Sequence, residues 1–490
     1  MHWYFSVVVV LFAEILSAQD DVLVLTVTSR NETNVIEWRN PLQPPYGATR
    51  VVGRTDRFPV DADDISDAFV ADVIGAPGGK GAVEHTGLES GAPYFYGVFV
   101  DDGSGNFSGG ETIQAEPLPA AGPVKWRFAP STAAVSMTPP GIGRAILFPN
   151  NDGNIYGIER GIHGGVWLPE SFPSSPGVVQ HRPPVIALAG VTSADNFTLV
   201  STQDGVVAAV DVESGDVLWS SLDLGSLQAG PAVWLEGFGG GADTVLVGTR
   251  NSPGKNTLFG LHAGDGTEAW RFEDSAGEGI GIVNGAPTLD YARGLLYFAS
   301  HAFNDAADSV FAVDLASGTK VWSTPVGDIS GSPVLRNQVL YVGDDGGKIY
   351  ALDAGDGSVG PSFETGDGIP KGFVFPDFHG DLLYVSTATT VWCIRDVGPV
   401  LNLRWAHPGI PGPSIVLYPP GSRYLWVGSS DGRLYQIDVT TGNPAQPPDV
   451  TFVVLGDGTA GVGSPSLDVT HGLVYVGVED GSLYAVDVPF

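Results

Sequence analysis

A fourteen-residue phrase returns along this chain and constrains its architecture more than any other feature. "SVFAVDLASGTKVW" runs from Ser309 to Trp322, "VVAAVDVESGDVLW" from Val206 to Trp219, and "TLFGLHAGDGTEAW" from Thr257 to Trp270. Each writes a short apolar strand, a glycine-bearing turn and a second strand that reaches a tryptophan. The core pattern, Gly-x-apolar-aromatic-small-apolar-acidic with local substitutions, occurs eight times. The copies begin at Gly153, Gly205, Asn256, Asp308, Gly347, Thr389, Gly432 and Gly481. Their spacing of about 39 to 52 residues is that of an array with one supersecondary unit per repeat.

Before most copies stands another strand closing near glycine or serine: "LLYFAS", "VLYVGD", "YLWVGS", "LVYVGV". Before that stands a third, opened by a Gly/Pro turn: "GAPTL", "GSPVL", "GPSIV", "GSPSL". An outer strand follows, carrying Trp167, Trp219, Trp270, Trp322 or Trp405, with Phe363 and Phe452 expected in the tryptophan's place in two further copies. Four strands per repeat describe a propeller blade. The eighth copy runs to Phe490 without an outer strand. "PVKWRF" (123–128) supplies one, with Trp126 standing for the missing tryptophan, so the ring is expected to close through its first strand and lose an exposed edge. The expectation is an all-β chain with an eight-bladed β-propeller over residues 120–490.

Composition agrees. The chain has 68 glycines and 37 prolines in 490 residues with no collagen period, as many short strands and tight turns require. It carries 55 acidic and 23 basic residues, a formal net charge of −32, divided between −10 over residues 19–122 and −21 over 123–490, with Glu14 supplying the last −1. Acidity on both parts repels phosphate backbones and anionic headgroups, which argues against nucleic acid as a partner. It suits solubility in an external medium, or a basic partner.

The single cysteine, Cys393, allows no intrachain disulfide and no thiolate metal cluster. It sits in the apolar run "TVWCIRD" and is expected to be a buried, inert thiol. At the N-terminus, Phe5 to Ala13 is an apolar run too short to span a bilayer, followed by Ser17 and Ala18. It reads as a secretory signal over residues 1–18, with export to the periplasm or exterior. No cysteine follows the apolar run, so no lipid anchor is expected, and no later segment is long and apolar enough for a transmembrane anchor.

Residues 19–119 show about seven short alternating runs, which suggest a β-sandwich. The segment resembles a fibronectin type III domain. Trp38 ends the second run, "LESGAPYFYGVFV" places Leu88, Gly91 and Tyr94 at tyrosine-corner spacing, and "DDGSGNFS" fits the last hairpin. That resemblance implies a spacer or adhesion module. Asp61, Asp63, Asp64 and Asp67 crowd one stretch, but without the glycine and terminal glutamate of a calcium loop they read as a solvated turn. "AEPLPAAGP" (115–123) reads as a linker.

The later repeats resemble the PQQ-type β-propeller repeat, whose signature A-x-D-x-x-[ST]-G-x-x-x-W is met by "AVDLASGTKVW" and "AVDVESGDVLW". The resemblance implies tryptophans docked between blades. It also implies one of two activities: PQQ/calcium-dependent oxidoreductases with a central cofactor, or cofactor-free docking surfaces. No catalytic, cofactor-binding or metal-ligating residue stands out. His181, Arg182, Lys255, His301 and Lys371 are the polar entries in the longer loops, and His301, Asp305 and Glu278 are the one set from which a site could be assembled. The reading is a secreted, non-catalytic binding or scaffold protein with an unidentified protein or glycan partner. The alternatives are a quinoprotein oxidoreductase and a polysaccharide-binding surface protein.

Overall fold

The computed structural model describes residues 21–130 except 23, 43–45 and 120. From 141 onward it describes all but 143–144, 150–154, 160–165, 168–196, 202–204, 212–216, 228–231, 235–242, 252–254, 275–278, 302–308 and 369–373. Every regular element among the described residues is a β-strand. The chain forms two compact units, Met1–Pro117 and Leu118–Phe490.

In the first unit β1 (Val24–Arg30), β2 (Thr33–Arg39) and β5 (Lys80–Thr86) form one antiparallel sheet in the order β1-β2-β5. The second has the order β4-β3-β6-β7, from β3 (Ala48–Arg54), β4 (Phe69–Val73), β6 (Tyr94–Asp101) and β7 (Glu111–Ala115). Alternation puts Ile36, Trp38, Tyr96, Val98 and Val100 inside. Trp38 lies opposite Gly81, where a Cβ would come within 2.3 Å of the indole; only glycine leaves room for the ring. Tyr94 is buried, and its hydroxyl accepts the Glu89 amide at 3.0 Å, so the ring is packed and its polar end satisfied.

The second unit is a succession of antiparallel sheets, each in chain order except for the outer strand of the last. The fourth shows the pattern: Thr288–Asp290, Leu295–Ala299, Val310–Asp314 and Lys320–Thr324, inner to outer. Eight such sheets are described, two of them with three strands. The eighth consists of Ser466–Asp468, Leu473–Gly477, Leu483–Asp487 and, as outer strand, β8 (Val124–Pro130). Leu483 lies opposite Phe128 and Ala485 opposite Trp126, with a bulge after Ala485. The second, third and fourth sheets bulge at the same place, after Ala209, Gly260 and Ala312, so β8 occupies the outer-strand position in register. Trp126 and Phe128 are fully buried there.

Among the described residues, each sheet from the second to the seventh packs on the next through a shared apolar layer, and the eighth packs on the first. Phe259 and Leu261 of the third sheet pack with Leu199 and Val207 of the second, and Leu340 and Val342 of the fifth pack with Tyr297 and Val310 of the fourth. Phe128 of the eighth sheet meets Phe148 and Tyr156 of the first at ring-centroid distances of 6.4 and 5.2 Å.

The repeated tryptophan and glycine form one connector. The indole N–H of Trp219 donates to the Ala263 carbonyl (2.8 Å), Trp270 to Leu315 (3.1 Å) and Trp322 to Ala354 (3.2 Å), each acceptor lying in the next sheet's turn. The ring then lies over that turn's glycine. Gly318 and Gly357 have φ of 67° and 73°, and a Cβ on either would fall 2.6 and 2.5 Å from the indole above it. The signature glycine therefore serves both the turn and the preceding tryptophan.

Two expected stand-ins differ. Phe363 lies opposite Ile349, where Phe128 and Phe272 lie opposite Leu483 and Leu258, two residues beyond the tryptophan position. Like them it packs on the next sheet, with its ring centroid 6.1 Å from Trp392. Phe452 lies opposite Tyr435 and is half exposed; the tryptophan position in that sheet, opposite Gln436, holds Thr451. In the seventh sheet a longer turn shifts the count that sequence spacing relies on; in the fifth the turn has the usual length, the tryptophan position falls at Pro361, and Phe363 lies two residues further on.

Candidate functional site

In these meanders the turns between second and third strands share one end of the sheets with the sheet-to-sheet connectors. The longer loops, with the polar residues singled out in the sequence, belong to that end. His301 is there, on the fourth sheet, and its Nδ1 lies 3.1 Å from Oδ2 of Asp345 in the equivalent position of the fifth. The same oxygen accepts from Ser330 Oγ at 2.7 Å, and Asp345 Oδ1 accepts the Ser330 amide at 3.1 Å. Lys255 is exposed on the neighbouring turn and contributes its carbonyl to Asn251 Nδ2 (2.8 Å). His181, Arg182, Glu278, Asp305 and Lys371 lie outside the described residues. The structure thus brings His301 together with an aspartate and a serine that the sequence reading had not paired with it.

Other acids at this end are also used for holding connectors. Glu479 Oε2 accepts the Gly461 amide (3.0 Å), and Asp344 accepts the Lys348 amide (2.8 Å) and the Tyr350 hydroxyl (3.1 Å). Burial pushes the Tyr350 phenol up to about 12, so it stays protonated at neutral pH. On the inner strands the "GSP" serines join neighbours: Ser332 Oγ accepts the Ala286 amide (2.9 Å) and Ser464 Oγ the Ile415 amide (3.2 Å). A PQQ–calcium centre needs several oxygens directed at a central ion. The two serines are thus engaged between sheets, Asn284 Oδ1 is buried without a partner, and no group of three or more His, Cys, Asp or Glu with metal-site geometry occurs among the described residues.

Cys393 is buried opposite Trp405, the slot filled by Ala209, Gly260, Ala312 and Ala485 in other sheets, and burial pushes its thiol far up. It packs beneath a tryptophan. In the first unit, Asp64 is held by Arg54 (3.1 Å) and Arg57, and Asp63 lies 3.4 Å from Arg50, so guanidinium groups neutralise half of that acidic stretch.

The opposite end of the sheets carries a feature that sequence reading missed. The inner turns of the fourth, fifth and sixth sheets enclose a depression of about 400 Å³. Arg293, paired with Asp290 (2.7 Å), reaches across to Gln338 Oε1 (2.9 Å). Arg336, almost fully buried, donates to the carbonyls of Asp377, Gly380 and Leu382 and to the Tyr341 hydroxyl (2.7 Å). The visible signal was the turn "RNQ", which needs left-handed residues yet has no glycine: Asn337 and Gln338 have φ of 50° and 68°.

Successive antiparallel sheets of three or four strands, packed on one another, define a β-propeller. Residues 203–447, half of the chain, match the family model described as outer membrane protein assembly factor BamB. The chain belongs to that family of PQQ-type repeat proteins. Among solved structures it is similar to BamB from Moraxella catarrhalis (16% identity, TM-score 0.53, 73% of this chain and 98% of that one). It is also similar to quinohemoprotein alcohol dehydrogenase from Comamonas testosteroni (15%, TM-score 0.54, 72% and 74%) and to the C-terminal WD40 domain of Sif2 (12%, TM-score 0.55, 73% and 96%). At these identities the likeness is one of fold. A comparison with curated protein sequences found no match.

Proposed function

We propose that this chain is an exported, non-catalytic scaffold in which eight sheets act as eight blades and present a docking surface for a protein partner. The N-terminal unit, read as a fibronectin type III-like module, serves as spacer or second contact. The observation that carries the reading is the use of polar groups: inner serines and connector acids bond neighbouring sheets, which spends these groups on holding a rigid body together. Membership of a family described by an assembly factor supports docking over chemistry. The formal net charge of −32 favours a basic partner through long-range attraction. No helix among the described residues is long and apolar enough to cross a membrane. Residues 1–18 are read as the export signal, and the periplasm or the exterior as the destination.

The test is a pull-down from the native extracellular or periplasmic fraction, beside calorimetric titration of the purified protein with PQQ and calcium and a dye-linked dehydrogenase assay. A stoichiometric, salt-sensitive protein partner with no PQQ heat is the expected result. Micromolar PQQ binding with dye reduction would overturn it in favour of a quinoprotein oxidoreductase.

A further inference from the structure

We propose that the depression between the inner turns of the fourth, fifth and sixth sheets is a binding site for a neutral saccharide. It goes beyond the docking reading and does not depend on it. Its floor is apolar at Leu335, and one wall is Phe378, a phenylalanine left 46% exposed. The Phe378 turn does not float. Arg336 Nη1 donates to three of its carbonyls, Asp377 (3.2 Å), Gly380 (3.2 Å) and Leu382 (3.1 Å), so a buried guanidinium holds the exposed ring in place. The facing turn is fixed as firmly. Gln338 keeps a left-handed backbone, its carbonyl accepting the Ala354 amide (2.9 Å) and its side-chain oxygen accepting Arg293 Nη2 (2.9 Å). A non-glycine residue held in that conformation by neighbours is a position where shape is maintained at a cost.

The chemistry of the walls selects the ligand. An exposed aromatic face suits the apolar C–H face of a pyranose ring, and planar amide, guanidinium and carboxylate groups suit pairs of adjacent hydroxyls. Asn337, Gln338 and Arg293 are exposed planar groups along one side. Both guanidinium groups already have a carboxylate, Arg293 with Asp290 at 2.7 Å and Arg336 with Asp396 at 3.3 Å. The cations of the depression are therefore already compensated. An anion finds no uncompensated counter-charge there, and an uncharged, hydroxyl-rich ligand does not need one.

The experiment uses the full chain and four neutral hexasaccharides: β-1,4-glucan, β-1,3-glucan, β-1,4-mannan and chitin oligomers. A galacturonate hexamer is the acidic control, and binding is read by calorimetry and by saturation transfer to the sugar C–H protons. At least one neutral oligomer should bind in the micromolar to low-millimolar range, with saturation strongest on one ring face. Phe378→Ala should weaken it at least tenfold without changing the melting temperature. Phe378→Leu keeps apolar bulk but removes the ring, and should lose binding equally, which answers the case of a poorly folded alanine variant. Leu222→Ala, an exposed apolar site elsewhere, should leave affinity unchanged. The proposal fails if none of the four binds, if the galacturonate binds as tightly, or if Phe378→Leu binds like the parent.

Discussion

The seams from the second to the fifth sheet and those from the sixth to the eighth solve one packing problem in two ways. In the first stretch Trp219, Trp270 and Trp322 each bond the next turn's carbonyl and cover its glycine. In the second, Trp405 is fully buried but its indole N–H bonds no described group, and Arg404 instead donates to the Gly442 carbonyl (2.7 Å). At the seventh sheet the tryptophan is gone. Gln436 replaces the usual small residue, accepts the Trp426 indole N–H (3.1 Å) and the Phe490 amide (3.0 Å), and donates to the Phe490 carbonyl (2.8 Å). Burial of a large ring against a glycine tolerates little variation, whereas a polar clasp can be rebuilt from other residues. Sequence similarity therefore fades in the second stretch while the sheet order persists.

If the seams carry the unit's stability, the largest loss should come from the one that joins its two chain ends. Deleting residues 123–128 removes the strand paired with Leu483–Asp487, including buried Trp126 and Phe128. A loss of several kcal/mol is expected, on the order of 5 or more, since a buried tryptophan alone is worth about 3–5. Urea denaturation would show it as a lower midpoint or an early partial transition. A deletion variant that unfolds like the parent would mean that β8 contributes nothing to the eighth sheet.

The comparison itself predicts unequal costs at equivalent positions. Trp322→Ala should lose roughly 3–5 kcal/mol, and Gly357→Ala about 1–3, because its Cβ would meet the indole of Trp322 at a positive φ. Thr451→Ala, in the tryptophan position of the seventh sheet, should lose less than about 1 kcal/mol. Equal losses at Trp322 and Thr451 would show that the connector is not what holds the regular seams. Gln436→Ala should fall between, at roughly 1–2 kcal/mol, since it strips a partner from the buried Trp426 indole and from Phe490.

What was legible in the sequence follows the same division. The four-strand repeat, the role of β8 and the docking tryptophans could be read because each rests on local signals: a glycine turn, period-two alternation and one large ring at fixed spacing. Phe452 is misplaced because a longer turn moves the register, and Phe363 because the nearest aromatic is not the residue at the tryptophan spacing, which is Pro361; strand pairing reveals which residue faces which. Cys393 could have been assigned its role by aligning "VWCIR" with "VFAVD". The depression on the inner turns was not legible. It depends on three turns from three repeats and on Arg336 reaching carbonyls more than forty positions away along the chain, and no spacing rule encodes such a meeting.

The smallest expected effect concerns His407, at the end of the sixth sheet's outer strand. It lies opposite Val391, the position held by Phe128, Phe272 and Phe363 in other sheets. Its Nδ1 is buried with no partner among the described residues, and burial pushes its imidazole below the ordinary value of about 6.5. The folded state therefore prefers the neutral ring. Its contribution is fully present above the unfolded value, and is lost as pH falls from about 6.5 through the depressed folded value. Acidification should lower stability with a slope of at most about 1.4 kcal/mol per pH unit for this one proton. His85 in the first unit is shifted the same way by burial, so the parent's total slope does not isolate His407. His407→Phe does: it restores the ring that other sheets place there and removes the titration. Urea midpoints at pH 7.5, 6.5 and 5.5 should fall less steeply in this variant than in the parent, with near-equal stability at pH 7.5. Parallel decline in both proteins would show that His407 is hydrated and that its seam resembles the regular ones in nothing but backbone.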